Sequence, residues 1–311
     1  MKVIIAGGGG GVGSSVAFNL LIGPGDHEVV LLDHRREMVL SHVMDLEQVL
    51  EQGATGRIRG GDEEDVPQAD VLVLTAAAPL TVNESRMVYL DANARILASV
   101  ADLLPAQWGG LLLVVANPVD PLCTWVQRRA SLDRRRVLGY TVNDSLRLRT
   151  GIGKALGVDP GRVEAWAIGE HGDLAVPLLD RVRLDGARIE LSDTQRAQIA
   201  DFTGGWYTRH VALDSGRSST WTSGLGVARM VGAIDRSGPD AVWPASVMLA
   251  GEYDIEGVSL SVPVSLGPGG AERIHEWELT GEQHEALQAG AAFVRAAAEG
   301  IVTVPREPSR W

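Results

Sequence analysis

Cysteine is nearly absent from the chain. Cys123 is the only one, which excludes a disulfide framework and a thiolate metal site and fits a cytoplasmic home. Lysine is almost as scarce, with Lys2 and Lys154 the only two among 28 basic residues; no function follows from that shortage. Positive charge is in deficit overall. A net charge of -12 leaves no phosphate-tracking surface and argues against nucleic acid as a partner. Long apolar runs are missing too. None approaches the roughly 20 residues a bilayer span requires, so no membrane association is expected. Met1 to Ala6 leads straight into glycines, without the basic start and long apolar stretch of a signal peptide.

What remains is an ordinary globular composition, 45% hydrophobic and 22% charged. A length of 311 residues suits two closely packed lobes better than one small core.

The first half alternates two patterns. Val3 to Ala6, Val29 to Leu32, Val71 to Leu74 and Leu111 to Val115 are continuous apolar runs long enough for buried strands, and Val137 to Gly139 is a shorter one. Helical spacing appears after the Gly7–Gly13 cluster and at 37–52, 86–104 and 119–130. Strands alternating with helices predict an α/β fold, a doubly wound parallel sheet of the Rossmann type. The second half reads as α+β. Asn143 or Asp144 can cap a helix running to about Leu156. Strand-like stretches follow at 162–168 and 178–184, helical patterns at 193–213 and 219–235, antiparallel strands from Val242 to Glu276, and a last helix from Glu282 to Ile301. Pro305 and Pro308 mark a loose tail. No linker or repeat separates the halves. The change of pattern alone divides a nucleotide-binding domain, 1–142, from a substrate or catalytic domain, 143–311.

Glycine placement supplies the first chemical signal. Gly8, Gly10 and Gly13 satisfy G-x-G-x-x-G, and Gly7, Gly10 and Gly13 satisfy a shifted version equally well. Such a turn lets the backbone approach a pyrophosphate seated at the helix N-terminus. A merely flexible loop is the plainer alternative, but a strand precedes these glycines, a helix follows, and Asp33 closes the next strand twenty residues after Gly13. Asp33 would accept the adenosine ribose hydroxyls and repel a 2'-phosphate, favouring NAD over NADP. Arg35 and Arg36, just beyond, pull the other way. Further along, Gly169-Glu170-His171-Gly172-Asp173 sets one histidine in a glycine-flanked turn; taken alone, such a residue is ordinarily a surface histidine.

Six further segments appear in order with the glycine turn and Asp33. They are Glu84-Ser85-Arg86, Asn117-Pro118-Val119-Asp120, Asn143-Asp144-Ser145-Leu146-Arg147, Glu170-His171-Gly172, Ser261-Val262-Pro263 and Gly267. In this series the chain resembles the lactate/malate dehydrogenase family over nearly its whole length. The resemblance implies an NAD-dependent 2-hydroxy acid dehydrogenase, a homodimer or homotetramer, with a small 2-hydroxy or 2-oxo acid as substrate and no metal. His171 would exchange a proton, suited to both directions by an imidazole pKa near 6.5. Asp144 would orient it, with a helix cap as the alternative. Arg147, three residues on, would grip the substrate carboxylate in two parallel hydrogen bonds, whereas Arg149 reads as a solvated helix arginine. Arg86 would close over the substrate and polarise its carbonyl, and Asn117 would orient the hydroxyl near the cofactor. Asn93 falls where the family places a cofactor-facing group, and either Ser219 or Thr220 where it places a pocket threonine.

The lid departs from the family pattern. Six residues before Arg86, where malate enzymes commonly carry arginine and lactate enzymes glutamine, stands Leu80. A distal carboxylate against leucine would lack a partner, which argues against oxaloacetate and for a larger or less charged side chain that Trp206, Tyr207 or Trp221 would line. An ordinary malate dehydrogenase, then a lactate dehydrogenase, are the alternatives. An NAD-dependent glycosidase, which needs a metal held by cysteine and histidine, and a non-catalytic dinucleotide-binding protein belong to different classes.

Overall fold

A computed structural model describes residues 1–79, 81, 86–236, 241–302 and 311, with Arg86 described in its backbone alone. The Leu80 and Arg86 side chains, and with them the expected lid, lie outside the described residues, as does most of the expected tail.

Six strands build the first half: β1 (Lys2–Ala6), β2 (Glu28–Leu32), β3 (Arg57–Gly60), β4 (Val71–Leu74), β5 (Leu111–Val114) and β6 (Val137–Tyr140). All pair in parallel, in the order β3-β2-β1-β4-β5-β6. Side chains alternate across a strand, and here both directions are covered. Val3 and Ile5 of β1 join Val71 and Val73 in a core with Val16 and Leu20 of helix α1 (Gly11–Ile22) and Val39 and Val43 of α2 (Arg36–Glu51). Ile4 and Ala6, with Leu72 and Leu74, face Leu97 of α3 (Leu90–Ala101) and Leu122 and Val126 of α4 (Val119–Ala130). This is why the strands read as unbroken apolar runs.

The second half opens with α5 (Val142–Leu156). The short strands β7 (Val163–Glu164), β8 (Ala167–Gly169), β9 (Ala175–Pro177), β10 (Arg183–Leu184) and β11 (Ala187–Arg188) follow. Helices α6 (Asp193–Gly204), α7 (Trp206–Val211) and α8 (Thr220–Arg236) precede the long strands β12 (Val242–Ala250) and β13 (Glu256–Gly267), then β14 (Gly270–Ile274) and α9 (Gly281–Gly300). β12 pairs antiparallel with β6 through Ala245–Tyr140 and Ser246–Gly139, and β13, β8 and β9 follow it. Among the described residues the two halves therefore share one eleven-stranded sheet. Among the same residues no helix is long and apolar enough to cross a membrane.

Local expectations needed three corrections. The 178–184 stretch forms a 3-10 turn, Leu179–Arg181, and only the two-residue β10, because its buried Leu178 and Val182 mimic a strand pattern. The expected 193–213 helix is two, divided at Gly205. Helix α5 begins at Val142 with Thr141 as its cap and no side-chain cap bond, so neither Asn143 nor Asp144 is the cap.

Between β1 and α1 the glycines are packed backbone to backbone. A methyl group on Gly13 would lie 2.3 Å from the Gly7 carbonyl oxygen, a clash only a main-chain shift relieves. Gly13→Ala is expected to destabilise the fold by about 1–3 kcal/mol, read as a lower midpoint in thermal unfolding; an unchanged midpoint would show that the turn yields easily.

Candidate functional site

A cleft of about 680 Å³ runs along the carboxyl ends of the parallel strands, from Asp33 past Gly10 and Gly11 to Asn117, Arg147 and His171. Ligands of open α/β sheets sit at this edge. Gly7, Gly10 and Gly13 line the cleft. Gly8 instead presses on Leu31, 2.8 Å from where a Cβ would stand, so the shifted glycine pattern is the one that faces the opening. Helix α1 has no side-chain cap and no acidic residue in its first turn, which leaves its N-terminal amides for an incoming anion.

Asp33 closes β2 with its side chain only 4% exposed. Oδ2 accepts the Gly9 N–H at 3.1 Å, while Oδ1 accepts the Arg35 N–H at 3.0 Å and its Nε at 3.2 Å. Burial pushes this carboxyl's pKa up, but the Arg35 hydrogen bonds and charge outweigh it and hold the group below its ordinary value. Asp33 is therefore an anion at neutral pH.

Asn93 and Asn117 form the cleft wall across from the glycines. Asn93 Oδ1 accepts the Ala78 N–H at 2.7 Å, and its Nδ2 donates to the Asn117 carbonyl at 2.6 Å. Asn93 thus ties the chain beyond β4 to the chain beyond β5 and is 2% exposed. Asn117, before a cis bond to Pro118, keeps its Oδ1 buried, with no hydrogen-bond partner among the described residues. A buried orphan acceptor beside an uncapped helix end fits a dinucleotide or its substrate.

The chemical cluster comes from three elements. Gly169, at φ +92°, turns the chain out of β8 and brings His171 into the cleft. Asp144, in the first turn of α5, meets His171 Nδ1 with its Oδ2. Arg147 lies one turn further on the same face. Its Nη1 donates to Asp144 Oδ1 at 3.3 Å, and its guanidinium lies over the Trp206 ring, 3.8 Å from the centroid. The His171 side chain is 5% exposed, Asp144 14% and Arg147 15%. A carboxylate on Nδ1 fixes the tautomer and makes Nε2 the position for proton exchange. Beneath them the Tyr140 hydroxyl donates to Asn143 Oδ1 at 2.9 Å and Asn143 Nδ2 donates to Ser223 Oγ at 3.0 Å. Burial pushes the Tyr140 phenol well up, with Asp144 adding to the effect, so it stays a neutral donor.

The remaining expectations separate. Ser219 lines the cleft, whereas the Thr220 hydroxyl donates to the Ser218 carbonyl at 3.3 Å and packs beside Gly11. Trp206 and Tyr207 line the cleft, while Trp221 is 70% exposed under Arg217. Arg149 is not a solvated helix arginine: its Nε donates to the Ala165 carbonyl at 3.2 Å, and burial lowers its pKa. Three cleft or cluster residues drew no expectation. His210 stacks on Trp206 at 5.0 Å, Trp311 donates through Nε1 to Ser99 at 2.9 Å, and Asp120 Oδ2 accepts the His171 N–H at 2.6 Å. The Trp311 and Asp120 contacts join segments remote in sequence and leave no periodic trace, although an acid opening an apolar helix could have marked Asp120. Among the described residues no group of three His, Cys, Asp or Glu side chains is arranged to hold a metal.

Comparison with known proteins agrees with this layout. Residues 1–139 match the model for the lactate/malate dehydrogenase NAD binding domain, and residues 141–303 that for the alpha/beta C-terminal domain of the same enzymes. A malate dehydrogenase of Halobacterium salinarum is 32% identical over 300 residues, spanning 95% of this chain and 97% of its own. An L-lactate dehydrogenase of Gloeobacter violaceus is 31% identical over 303 residues, 94% of this chain and 92% of its own. The solved malate dehydrogenase of Aeropyrum pernix superposes with a TM-score of 0.88 at 26% identity, covering 99% of this chain and 100% of that one.

Proposed function

Because the chain belongs to the lactate/malate dehydrogenase family, we propose that His171, Asp144 and Arg147 carry its reaction on a 2-hydroxy acid larger or less charged than malate. It is an NAD-dependent oxidoreductase acting on the CH–OH group of 2-hydroxy acids. The observation that carries the assignment of roles is the hydrogen-bonded line Arg147–Asp144–His171 in the cleft that begins at the glycine turn.

NAD, when bound, accepts or supplies the hydride. Gly7, Gly10 and Gly13 would hold its diphosphate against the end of α1, Asp33 its adenosine ribose, and Asn117 Oδ1 its nicotinamide end or the reacting hydroxyl. In oxidation His171 takes the hydroxyl proton at Nε2, and Asp144 stabilises the imidazolium that results; in reduction the same proton returns to the carbonyl oxygen. Arg147 binds the substrate carboxylate, its planar fork held by Asp144 on one side and the Trp206 ring on the other. Arg86 closes the site over the carbonyl, and Ser219, rather than Thr220, contacts the substrate.

Two features support a non-standard substrate side chain. Leu80 stands at the sequence position where a distal carboxylate would need arginine, and Trp206 and Tyr207 form part of the cleft wall. Steady-state rates with oxaloacetate, pyruvate and bulkier apolar 2-oxo acids, each with NADH and NADPH, test this reading. The bulkier acids with NADH are expected to give the highest kcat/KM; a clear preference for oxaloacetate would leave an ordinary malate dehydrogenase. The enzyme acts in the cytoplasm as a homodimer or homotetramer, a state that sedimentation equilibrium reads directly.

A further inference from the structure

Asp120, the second residue of α4, has a carboxyl sealed inside the protein, 1% exposed, yet it reaches across to the other half of the chain. Its Oδ2 accepts the main-chain N–H of His171 at 2.6 Å. Among the described residues its Oδ1 makes no well-formed hydrogen bond, and neither does the Ser246 hydroxyl of β12, although the two lie near each other. The groups facing it are Glu170 and His171 from the β8–β9 loop, Asp144 from α5, Ser246 from β12 and Cys123 from α4 itself. Burial opposes a negative charge on Asp120 most strongly, and Glu170 and Asp144 oppose it further; the His171 N–H and the nearby Ser246 hydroxyl dipole favour it without prevailing, and the carboxyl is held well above its ordinary pKa.

The position gives the carboxyl a distinct part to play. Asp120 stands three residues after Asn117, so one short segment supplies both the orphan acceptor of the cleft wall and the anchor of residue 171. An anion at Oδ2 would place a second carboxylate next to the imidazole and favour its protonated form in both directions of the reaction. A neutral acid offers the same acceptor to the His171 N–H without that charge, and its own proton can turn toward Ser246 Oγ.

We propose that Asp120 is a positioning residue, working as a neutral carboxylic acid, that fixes the His171 main chain from the nucleotide-binding half and keeps the imidazole in register with Asp144 and Asn117. The inference rests on the proton-exchange role given to His171 above.

Two variants test it, once the parent enzyme turns over a 2-oxo acid with NADH; a parent without that activity fails the functional reading itself, before Asp120 is questioned. Asp120→Asn keeps shape and acceptor and cannot ionise. Its kcat should stay within about threefold of the parent, and the midpoint of its kcat/KM–pH profile should not move. A midpoint lowered by about half a pH unit or more would mean that a charge had been lost and would overturn the neutral acid. Asp120→Ala removes the anchor. Its kcat should fall by about 100-fold, the scale of an ångström-level misplacement, while the Kd for NADH by fluorescence titration stays within about threefold. Parent-like kcat in Asp120→Ala would overturn the positioning role. Should the alanine variant not fold, Asp120→Leu, similar in shape but without an acceptor, takes its place, and parent-like kcat there would equally overturn the positioning role.

Discussion

Replacing His171 with asparagine is expected to lower kcat by about 10²–10⁴-fold, the range that general acid–base catalysis contributes. Asparagine keeps a polar group of modest size in the turn after Gly169 and leaves the Asp120 anchor on the main chain untouched. What it loses is a nitrogen that changes protonation near neutral pH. The hydride transfer then leaves the substrate oxygen without a partner to give or take its proton. The glycine turn and Asp33, proposed to hold NADH, lie at the far end of the cleft, so the Kd measured by fluorescence should barely change. Rapid-mixing traces should lose the hydride-transfer step and keep the binding step. A variant with parent-like kcat would remove His171 from the chemistry.

The second large effect is expected at Arg147. Lysine there keeps the charge but not the planar pair of donors. Losing one charge-assisted hydrogen bond to the substrate carboxylate costs about 1.5–3 kcal/mol, so kcat/KM for the 2-oxo acid should fall by about 10–100-fold in Arg147→Lys. The guanidinium is also held flat, 3.8 Å from the Trp206 ring centroid, and bonded to Asp144 at 3.3 Å. An ammonium on a flexible stem gains little from either arrangement. Arg149→Lys is the internal control. It lies two residues away, but its Nε is directed at the Ala165 carbonyl, and its replacement should leave kcat/KM within about threefold. Equal losses in both variants would indicate a general disturbance of α5 in place of carboxylate recognition.

The sequence disclosed the parallel half of the fold well, for a physical reason. Strands such as Val71–Leu74, covered on both faces, must be apolar at every position, and a phosphate-binding turn must be glycine-rich wherever backbone approaches backbone. It disclosed less wherever a contact joined distant segments. Period and spacing could not separate Ser219 from Thr220, because one residue's difference at the start of α8 decides which hydroxyl faces the cleft and which turns back to Ser218. The same limit applies to Asn93, whose amide links two loops from one helix, and to Trp206, which lies across the Arg147 fork rather than in the core. Asp120 reads in sequence as an acid favourably placed near a helix start. Only its position, sealed beneath His171, reveals a different task.

The pairing of Tyr140 with Ala245 and Gly139 with Ser246 has a consequence for how such an enzyme can be altered. Cutting the polypeptide at that seam would bare β6 and β12 as raw edges, both largely apolar, and the fragments would tend to self-associate instead of folding alone. Exchanging halves between relatives succeeds only where this ladder is preserved. New substrates are therefore expected to be accommodated by changing side chains around this shared ladder.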